Sequence, residues 1–245
     1  MRLLGSILRK GAAIILWTCV ISVLWVFLLR YVDPPVTWVM VEQAHEQGGV
    51  ECEPVSLDRM ARSLPLAVIA SEDQRFFHHH GFEWGRIRKA MDHNEKNGGR
   101  IRGASTITQQ MVKNVFLWPG RTWTRKGLEA WFTILVELLW SKERILEVYL
   151  NVAEMGKGVF GAEAAAQHCF GKEALRLTPG QSALITATLP RPRKYACRQP
   201  TGYLAGRQQW VLRQMHNIGD QMDPEVRRRI GEKITRERKN MRSGE

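Results

Sequence analysis

The residues best suited to chemistry lie in a short stretch at positions 69–82, which reads IASEDQRFFHHHGF. An apolar run ends there at two adjacent carboxylates, Glu72 and Asp73, which two phenylalanines and three histidines follow. A carboxylate at the end of an apolar helix is partly removed from water, and this suits it to proton transfer. For a single glutamate, however, a helix cap or an ordinary surface acid is the commoner explanation. A catalytic role for Glu72 therefore requires other groups with complementary chemistry.

A second candidate carboxylate, Glu129, lies in the segment RKGLEAW, four residues after Arg125. Taken alone, this spacing is typical of an ordinary ion pair within a helix. The amide side chains of Gln109 and Gln110, between the two acids, can donate and accept hydrogen bonds to sugar hydroxyl and N-acetyl groups. Basic residues that can hold phosphate oxygens cluster in the same stretch: Arg100, Arg102, Lys113, Arg121, Arg125 and Lys126. The combination favours chemistry on a sugar phosphate.

The triplet of histidines at 78–80 suggests a metal site, but its spacing argues against one. Consecutive residues of a helix point about 100° apart, so three of them cannot all face one ion. We expect one histidine to orient the neighbouring loop and the others to be exposed. The sequence also lacks GxxxxGK[ST], HExxH, GxSxG and the SxxK and KTG pair. P-loop, zincin, hydrolase-elbow and penicilloyl-serine mechanisms are therefore not supported.

The four cysteines give neither a CxxC motif nor the spacing of a zinc site. Cys19 lies within an apolar run near the N-terminus. The other three, Cys52, Cys169 and Cys197, allow at most one disulfide among themselves. Their spacing does not decide which two would pair.

The apolar run at residues 11–29 contains no charge over 19 positions. As a helix it would be roughly 28 Å long, close to the hydrocarbon thickness of a bilayer. Basic residues flank it, and Trp17, Trp25 and Tyr31 suit the membrane interface. The following RYVDPPVTW is a poor cleavage region for a signal peptide. The pattern therefore predicts an uncleaved transmembrane helix.

The distribution of positive charge predicts the orientation of this helix. Three basic residues, Arg2, Arg9 and Lys10, precede the run, and Arg30 closes it. The short basic tail is expected to stay in the cytoplasm, which places the remaining chain in the periplasm of a bacterial cell. The formal net charge is +12 and the pI is about 10.0. An anionic membrane beside the exported part accounts for much of this basicity, so nucleic acid is a less favoured partner.

The remaining sequence predicts an all-α domain. Residues 125–140 place leucine and aromatic side chains at alternating steps of three and four, as in an amphipathic helix. Ser105, Ser141 and Thr178 are positioned to cap helices, and Asp223-Pro224 opens a last, basic helix. We predict five segments: a cytoplasmic tail (1–10), a transmembrane helix (11–30), a membrane-proximal linker (31–55), a catalytic core (56–200) and basic C-terminal helices (201–245).

Four segments occur in an order and at a spacing that resemble a known family. They are EDQRFFHHHGF, GASTITQQMVKN, RKGLE and KERILEVYLNVAEMGKGVFGAEAAAQHCFGK. Over residues 56–195 the chain resembles the glycosyltransferases that polymerise lipid II, glycosyltransferase family 51. With a membrane anchor and without transpeptidase motifs, it is most similar to the monofunctional members. The resemblance implies a mostly helical, lysozyme-like fold.

The resemblance also implies roles for the residues noted above. Glu72 would be the general base that deprotonates the 4-hydroxyl of the acceptor sugar, and Glu129 the second carboxylate, near the diphosphate. Asp73, Phe76 and His80 would shape the acceptor side. The donor sugars would be held by Ser105, Thr106, Gln109 and Gln110, and the diphosphate by Lys113, Arg121, Arg125 and Lys126. No tightly bound cofactor is implied, although a divalent cation, Mg²⁺ or Mn²⁺, is compatible with Glu129.

The implied partners are lipid II, the nascent glycan strand, the membrane and other cell-wall synthesis or division proteins. Two alternatives remain open at this point. A lysozyme-like hydrolase that cuts glycan strands would also use two carboxylates on a helical domain. A non-enzymatic membrane scaffold would use the basic C-terminal helix to dock on lipid or protein.

Overall fold

The computed structural model describes residues 2–96, 105–120 and 122–243. Arg100, Arg102 and Arg121 therefore lie outside the described residues. The helices are α1 (Arg2–Leu29), α2 (Trp38–Gln47), α3 (Ser63–Glu72), α4 (Trp84–Lys96), α5 (Ile107–Phe116), α6 (Trp123–Leu139), α7 (Lys142–Val152), α8 (Ala162–Phe170), α9 (Pro179–Thr188), α10 (Gly202–Ile218) and α11 (Pro224–Ser243). The prediction of a mostly helical protein is confirmed.

A small sheet accompanies the helices in the described part of the chain. Its strands are β1 (Glu51–Cys52), β2 (Glu154–Gly156) and β3 (Val159–Phe160), in the order β1-β3-β2. β1 runs parallel to β3, with Glu51 opposite Val159, and β2 runs antiparallel to β3. The strands are too short for their alternation to be visible in the sequence. Through the pairing of β1 with β3, the sheet joins the end of the membrane-proximal segment (31–55) to the body of the domain.

The core consists of two groups of helices that share one apolar interior. α3 packs against α9 and α10, and α5 packs against α6 and α7. α3 is apolar on nearly all sides, and Leu64, Val68 and Ile69 are fully buried. A helix that is hydrophobic all round belongs in an interior. The active-site candidates lie where the end of α3 meets α5.

Local signals in the sequence explain where the helices around the site begin. Thr178 forms the predicted capping box with Gln181, and Ser141 caps α7 as predicted. The prediction that Ser105 caps α5 is wrong by one residue. Thr106 is the cap, because its Oγ1 accepts a hydrogen bond from the backbone N of Gln109 at 3.2 Å.

The N-terminal helix has one stretch, Arg9–Leu29, that is long and apolar enough to cross a bilayer. Its C-terminal half is attached to the body of the protein. Trp131 Nε1 donates a hydrogen bond to Ser22 Oγ at 3.1 Å, and Trp140 Nε1 donates one to the Val26 carbonyl at 2.8 Å. Trp25 packs edge-on against Phe116. The candidate membrane span is therefore anchored on α5 and α6.

The face of α6 beside α1 carries large apolar side chains that the protein leaves exposed. They are Trp123, Leu128, Trp131, Ile134 and Leu138, and Trp123 is 91% exposed. Exposed apolar patches of this kind mark interaction sites with lipid or protein. Because this patch adjoins the candidate span, a bilayer is the environment that suits it best.

Cys169 and Cys197 form a disulfide between α8 and the segment that follows α9. This resolves the pairing that the spacing had left open. Cys19 and Cys52 are free thiols. Disulfides persist in oxidising compartments such as the bacterial periplasm.

Candidate active site

Glu72 is the last residue of α3 and lies at the junction of that helix with α5. Its side chain is 18% exposed, so it is largely removed from water but still accessible. Gln110 Nε2 donates a hydrogen bond to Glu72 Oε2 at 3.1 Å, and Ser71 Oγ donates one to Oε1 at the same distance. Arg207 Nη2 lies 3.8 Å from Oε1. The carboxylate is therefore held on both oxygens while one side faces a cleft.

The cleft beside Glu72 has a volume of about 360 Å³. It is lined by Ser71, Glu72, Gln74, Arg75, Glu83, Arg86 and Trp210. Arg86, from α4, donates from Nη1 to the Glu72 carbonyl at 2.8 Å. Arg75 pairs with Glu83 at 3.2 Å. The result is a polar pocket with several guanidinium groups around a single accessible glutamate.

A buried tyrosine fixes the amide that holds Glu72. Tyr149 OH donates a hydrogen bond to Gln110 Oε1 at 3.3 Å, so the amide NH₂ is directed at the carboxylate. Burial, and then the charges of Glu72 and Asp73, raise the pKa of Tyr149 well above its usual range. The phenol therefore remains a proton donor at any pH at which the enzyme would work.

Asp73 is fully buried and has a different environment from its neighbour Glu72. Both of its oxygens lie 3.0 Å from His79 Nε2, and Oδ2 accepts a hydrogen bond from the backbone N of Ile107 at 3.1 Å. Asp73 thus ties the end of α3 to the first residue of α5. A carboxylate at a helix N-terminus is favourable for the free N–H groups and for the helix dipole. A direct contact of Asp73 with the acceptor stays a prediction.

The other two residues predicted on the acceptor side lie at different depths. Phe76 is fully buried, with Lys142 Nζ 4.5 Å from its ring centroid. His80 is exposed. The histidine that the structure brings to a carboxylate is instead His79. A substrate contact by His80 stays a prediction.

Glu129 is 3% exposed and is surrounded by nitrogen donors. Lys126 Nζ lies 2.8 Å from its Oε1, and Gln109 Nε2 donates to the same oxygen at 3.4 Å. Burial lowers the pKa of Lys113; the charge of Glu129 opposes this shift, and Lys126 and Arg125 add to it. The predicted second carboxylate and three of the predicted cations are therefore in one cluster.

Arg125, the third cation of this cluster, lies in the first turn of α6. Its Nε donates to the Trp118 carbonyl at 2.7 Å. This bond joins the start of α6 to the segment after α5 and places the guanidinium near Lys113. Arg121 lies outside the described residues, so its predicted phosphate contact remains a prediction.

A second cavity, of about 390 Å³, lies between α4 and the helices α5 and α6. Its lining combines apolar and aromatic side chains with a few polar groups: Phe82, Trp84, Ile87, Ala90, Met91, Asn94, Ser105, Gln109 and Lys126. Pockets of this composition are typical of ligand sites. Ser105, Gln109 and Lys126 were all predicted to bind substrate.

Thr106 supports the site from within the protein. Its Oγ1 donates to the Gly81 carbonyl at 2.7 Å, and it forms a capping box with Gln109. The adjacent glutamines of α5 then point to different carboxylates, Gln109 to Glu129 and Gln110 to Glu72. One helix therefore connects the two acids predicted from the sequence.

Several residues of the site were not found by reasoning from the sequence. Arg86 and Arg207 reach Glu72 from α4 and α10, and Arg207 is 135 positions away along the chain. Tyr149 lies within one of the four family segments, but no role was predicted for it. No local spacing indicates such contacts, because they depend on how helices pack.

Among residues 2–96, 105–120 and 122–243, no three histidine, cysteine, aspartate or glutamate side chains are grouped so as to hold a metal ion. Glu129 Oε1 is already engaged by Lys126 and Gln109. A cation at this carboxylate would therefore need most of its oxygen ligands from water or from a bound diphosphate.

Comparison with known proteins identifies the family. The family model described as Transglycosylase matches residues 40–216, and the chain belongs to this family. Curated relatives named biosynthetic peptidoglycan transglycosylase are similar over most of the chain. The protein of Xanthomonas campestris pv. campestris (strain B100) is 52% identical over 205 residues, which are 81% of this chain and 83% of its own. The protein of Pseudomonas putida (strain W619) is 51% identical over 224 residues, 89% of this chain and 94% of its own.

Proposed function

We propose that this protein is a peptidoglycan glycosyltransferase that polymerises lipid II into β-1,4-linked glycan strands. The observation that carries the proposal is the pairing of α5 with both carboxylates: Gln110 holds Glu72 at an open cleft, and Gln109 holds Glu129 among lysines. Family membership and the names of the relatives support the same reaction.

Glu72 acts as the general base. Its carboxylate accepts the proton of the 4-hydroxyl of the acceptor's N-acetylglucosamine, and the oxygen forms a bond to the anomeric carbon of the donor's terminal muramoyl unit. The bond from that carbon to the diphosphate oxygen breaks, and the configuration inverts. A positioned base of this kind contributes roughly 10²- to 10⁴-fold to a rate.

The leaving group is undecaprenyl diphosphate. It is already a stable anion, so it needs electrostatic stabilisation more than it needs a proton. Lys113, Lys126 and Arg125 supply the positive charge next to Glu129. Burial disfavours the charged form of Lys113 in the free protein, and a bound diphosphate would compensate for that.

Each of the two cavities binds one of the two substrates. The growing chain, as donor, occupies the cavity lined by Ser105, Gln109 and Lys126, next to the cationic cluster. The incoming lipid II, as acceptor, occupies the cleft of Glu72, Arg75 and Arg86. This assignment leaves the acceptor hydroxyl beside the base and the diphosphate beside the cations.

The membrane anchor has a direct use in this reaction, because a polyprenyl substrate remains in the bilayer. α1 and the exposed apolar face of α6 would place the site at the surface of the cytoplasmic membrane. The basic N-terminal tail favours a periplasmic catalytic domain. The disulfide between Cys169 and Cys197 supports the same orientation.

A divalent cation is an optional component of the proposal. Glu129 would hold it together with the diphosphate oxygens, and the cation would neutralise part of the charge on the leaving group. Initial rates with and without EDTA, followed by added Mg²⁺ or Mn²⁺, test this requirement. Full activity in EDTA would assign that neutralisation to the lysine and arginine side chains alone.

Purified full-length protein, incubated separately with lipid II and with cell-wall sacculi, tests the proposed function. We expect polymeric glycan from lipid II and no soluble fragments from sacculi. Release of soluble muropeptides without polymer would indicate that the protein is a lysozyme-like hydrolase and not a synthase. No reaction with either substrate would favour the membrane scaffold.

A further inference from the structure

The C-terminal helix α11 (Pro224–Ser243) lies beyond residue 216, where the match to the family model ends. It carries eight lysine and arginine residues against three glutamates, a net charge of +5 within 20 residues. At about 1.5 Å per residue the helix is roughly 30 Å long. Nothing in the proposed reaction uses it. Its charge and position therefore need their own explanation.

One face of α11 packs on the body of the protein and leaves the opposite face to solvent. The half-buried stripe consists of Val226, Ile230 and Ile234, four residues apart. Gly231 passes close to the ring of His78, since a Cβ at this position would lie 3.9 Å from it. The apolar stripe is thus half-buried, and the face that is fully exposed is charged.

The exposed face is basic and only partly neutralised. Arg228 pairs with Glu225 and Glu232 of the same helix, and Arg229 lies 3.9 Å from Glu225. Lys233 and Arg236 are exposed and form no ion pair with a described residue. A surface of this sign attracts a polyanion.

The first turn of α11 lies beside the point where the chain leaves the candidate membrane span. Arg227 pairs with Glu143 and stacks 4.4 Å over the ring of Phe77. The neighbour of Glu143, Arg144, donates from Nη2 to the carbonyls of Leu29 and Val32, both at 3.0 Å. The partner of α11 and the residue that fixes the end of α1 are therefore adjacent in the chain. Because α11 begins beside the membrane anchor, an anionic lipid surface is the polyanion that we favour as its partner.

We propose that the basic face of α11 binds the headgroups of anionic phospholipids next to the membrane anchor. Clusters of lysine and arginine beside a transmembrane helix recognise anionic lipid, and the attraction decays within a Debye length, about 10 Å at 0.1 M salt. The helix would act as a second attachment to the bilayer, and it would hold the domain against the membrane surface. This inference does not depend on the identity of the reaction.

Hydrogen exchange of the full-length protein in lipid nanodiscs tests the proposal. We expect the backbone amides of residues 228–240 to exchange at least about tenfold more slowly in discs containing phosphatidylglycerol than in pure phosphatidylcholine discs. The triple variant Arg229→Gln, Lys233→Gln, Arg236→Gln should lose this difference. So should the addition of 1 M salt, where the Debye length is about 3 Å.

A matched control removes the same amount of charge from exposed sites elsewhere on the domain. The variant Lys157→Gln, Lys172→Gln, Arg176→Gln should retain the lipid-dependent slowing. Equal exchange in the two kinds of disc would overturn the proposal, and so would a slowing that persists in the α11 variant. Because the readout involves neither lipid II nor glycan, its failure is separable from failure of the proposed function.

Discussion

At the scale of single residues, the two candidate carboxylates occupy opposite kinds of environment. Glu72 is partly accessible, with neutral amide and hydroxyl donors on its oxygens and Arg207 at 3.8 Å. Glu129 is almost completely buried and has Lys126 on it directly. The first carboxylate is open to a substrate hydroxyl in the cleft, and the second is enclosed by a lysine and an amide. The different roles that we propose for the two acids fit these surroundings.

Lys113 gives a prediction with a defined pH dependence. Because burial lowers its pKa, Lys113 loses its charge at a lower pH than an exposed lysine. We therefore expect affinity for a diphosphate-linked donor to fall as the pH rises through that lowered pKa. Lys113→Arg should keep its affinity to higher pH, because a guanidinium stays charged. Calorimetric titration with the donor between about pH 7 and 11, the range over which lysines deprotonate, checks this. Parallel profiles of affinity against pH for the wild-type protein and Lys113→Arg would contradict it.

The same burial predicts that Lys113 contributes to binding rather than to stability. Lys113→Met should weaken donor binding by about 10- to 100-fold, the usual effect of losing a hydrogen bond to a charged group. The Tm should stay unchanged or rise, since a partly desolvated charge is removed. Calorimetry and thermal unfolding of the same preparation separate the two effects. A large drop in Tm would indicate a structural role instead.

At the scale of elements, the site depends on the junction between the end of α3 and the start of α5. Asp73 makes this junction through His79 and the Ile107 amide. Asp73→Ala would leave the buried histidine and a helix N-terminal N–H without their acceptor. We expect the free energy of unfolding to fall by about 3–5 kcal/mol, the usual cost of breaking a buried pair. Urea unfolding in detergent micelles measures this change.

A control variant for the junction is Asp58→Ala, which removes an exposed carboxylate in a short 3-10 turn. Its effect on the free energy of unfolding should be much smaller than that of Asp73→Ala, because the side chain is exposed. Equal free energies of unfolding for Asp73→Ala and Asp58→Ala would show that the contacts of Asp73 do not hold α3 against α5. Loss of polymerisation at normal stability would instead point to a direct substrate contact by Asp73.

Much of the element structure could be predicted from local signals. These signals are read from residues that are close together in the chain. They are the long apolar run, the amphipathic pattern of α6 and the capping residues Ser141 and Thr178. Thr106 was missed as a cap because Ser105, Thr106 and their neighbours offer equivalent hydroxyls, and only the path of the chain selects one. His79 was missed for the same reason. Three consecutive histidines differ only in direction, which the turn at Phe76–His78 determines.

At the scale of the whole molecule, the contacts that complete the site come from distant parts of the chain. Tyr149 on α7, Arg86 on α4 and Arg207 on α10 all converge on Glu72 or its partner Gln110. Their positions follow from the packing of α3 and α5 against the surrounding helices. The pairing of Cys169 with Cys197 is likewise a consequence of tertiary structure, since spacing allowed three pairings among Cys52, Cys169 and Cys197.

The disulfide gives a prediction for the stability of the whole domain. Its two cysteines are 28 positions apart, and a loop of this length restricts the unfolded chain by roughly 3–4 kcal/mol. The double variant Cys169→Ser, Cys197→Ser should have a free energy of unfolding that is lower by about that amount. Dithiothreitol should not change the stability of this variant. The wild-type protein should become less stable in dithiothreitol. Equal stability of oxidised and reduced wild-type protein would contradict the prediction.

The initial rate of lipid II polymerisation by Glu72→Gln, in the full-length protein, tests the central claim most directly. Glutamine preserves the shape of the side chain but cannot take up the acceptor's proton. We predict a rate lower by at least about 10²-fold, with unchanged thermal unfolding. The control Glu173→Gln, which alters a half-exposed carboxylate paired with Arg176, should polymerise at the wild-type rate. A wild-type rate in Glu72→Gln would contradict the assignment of Glu72 as the base.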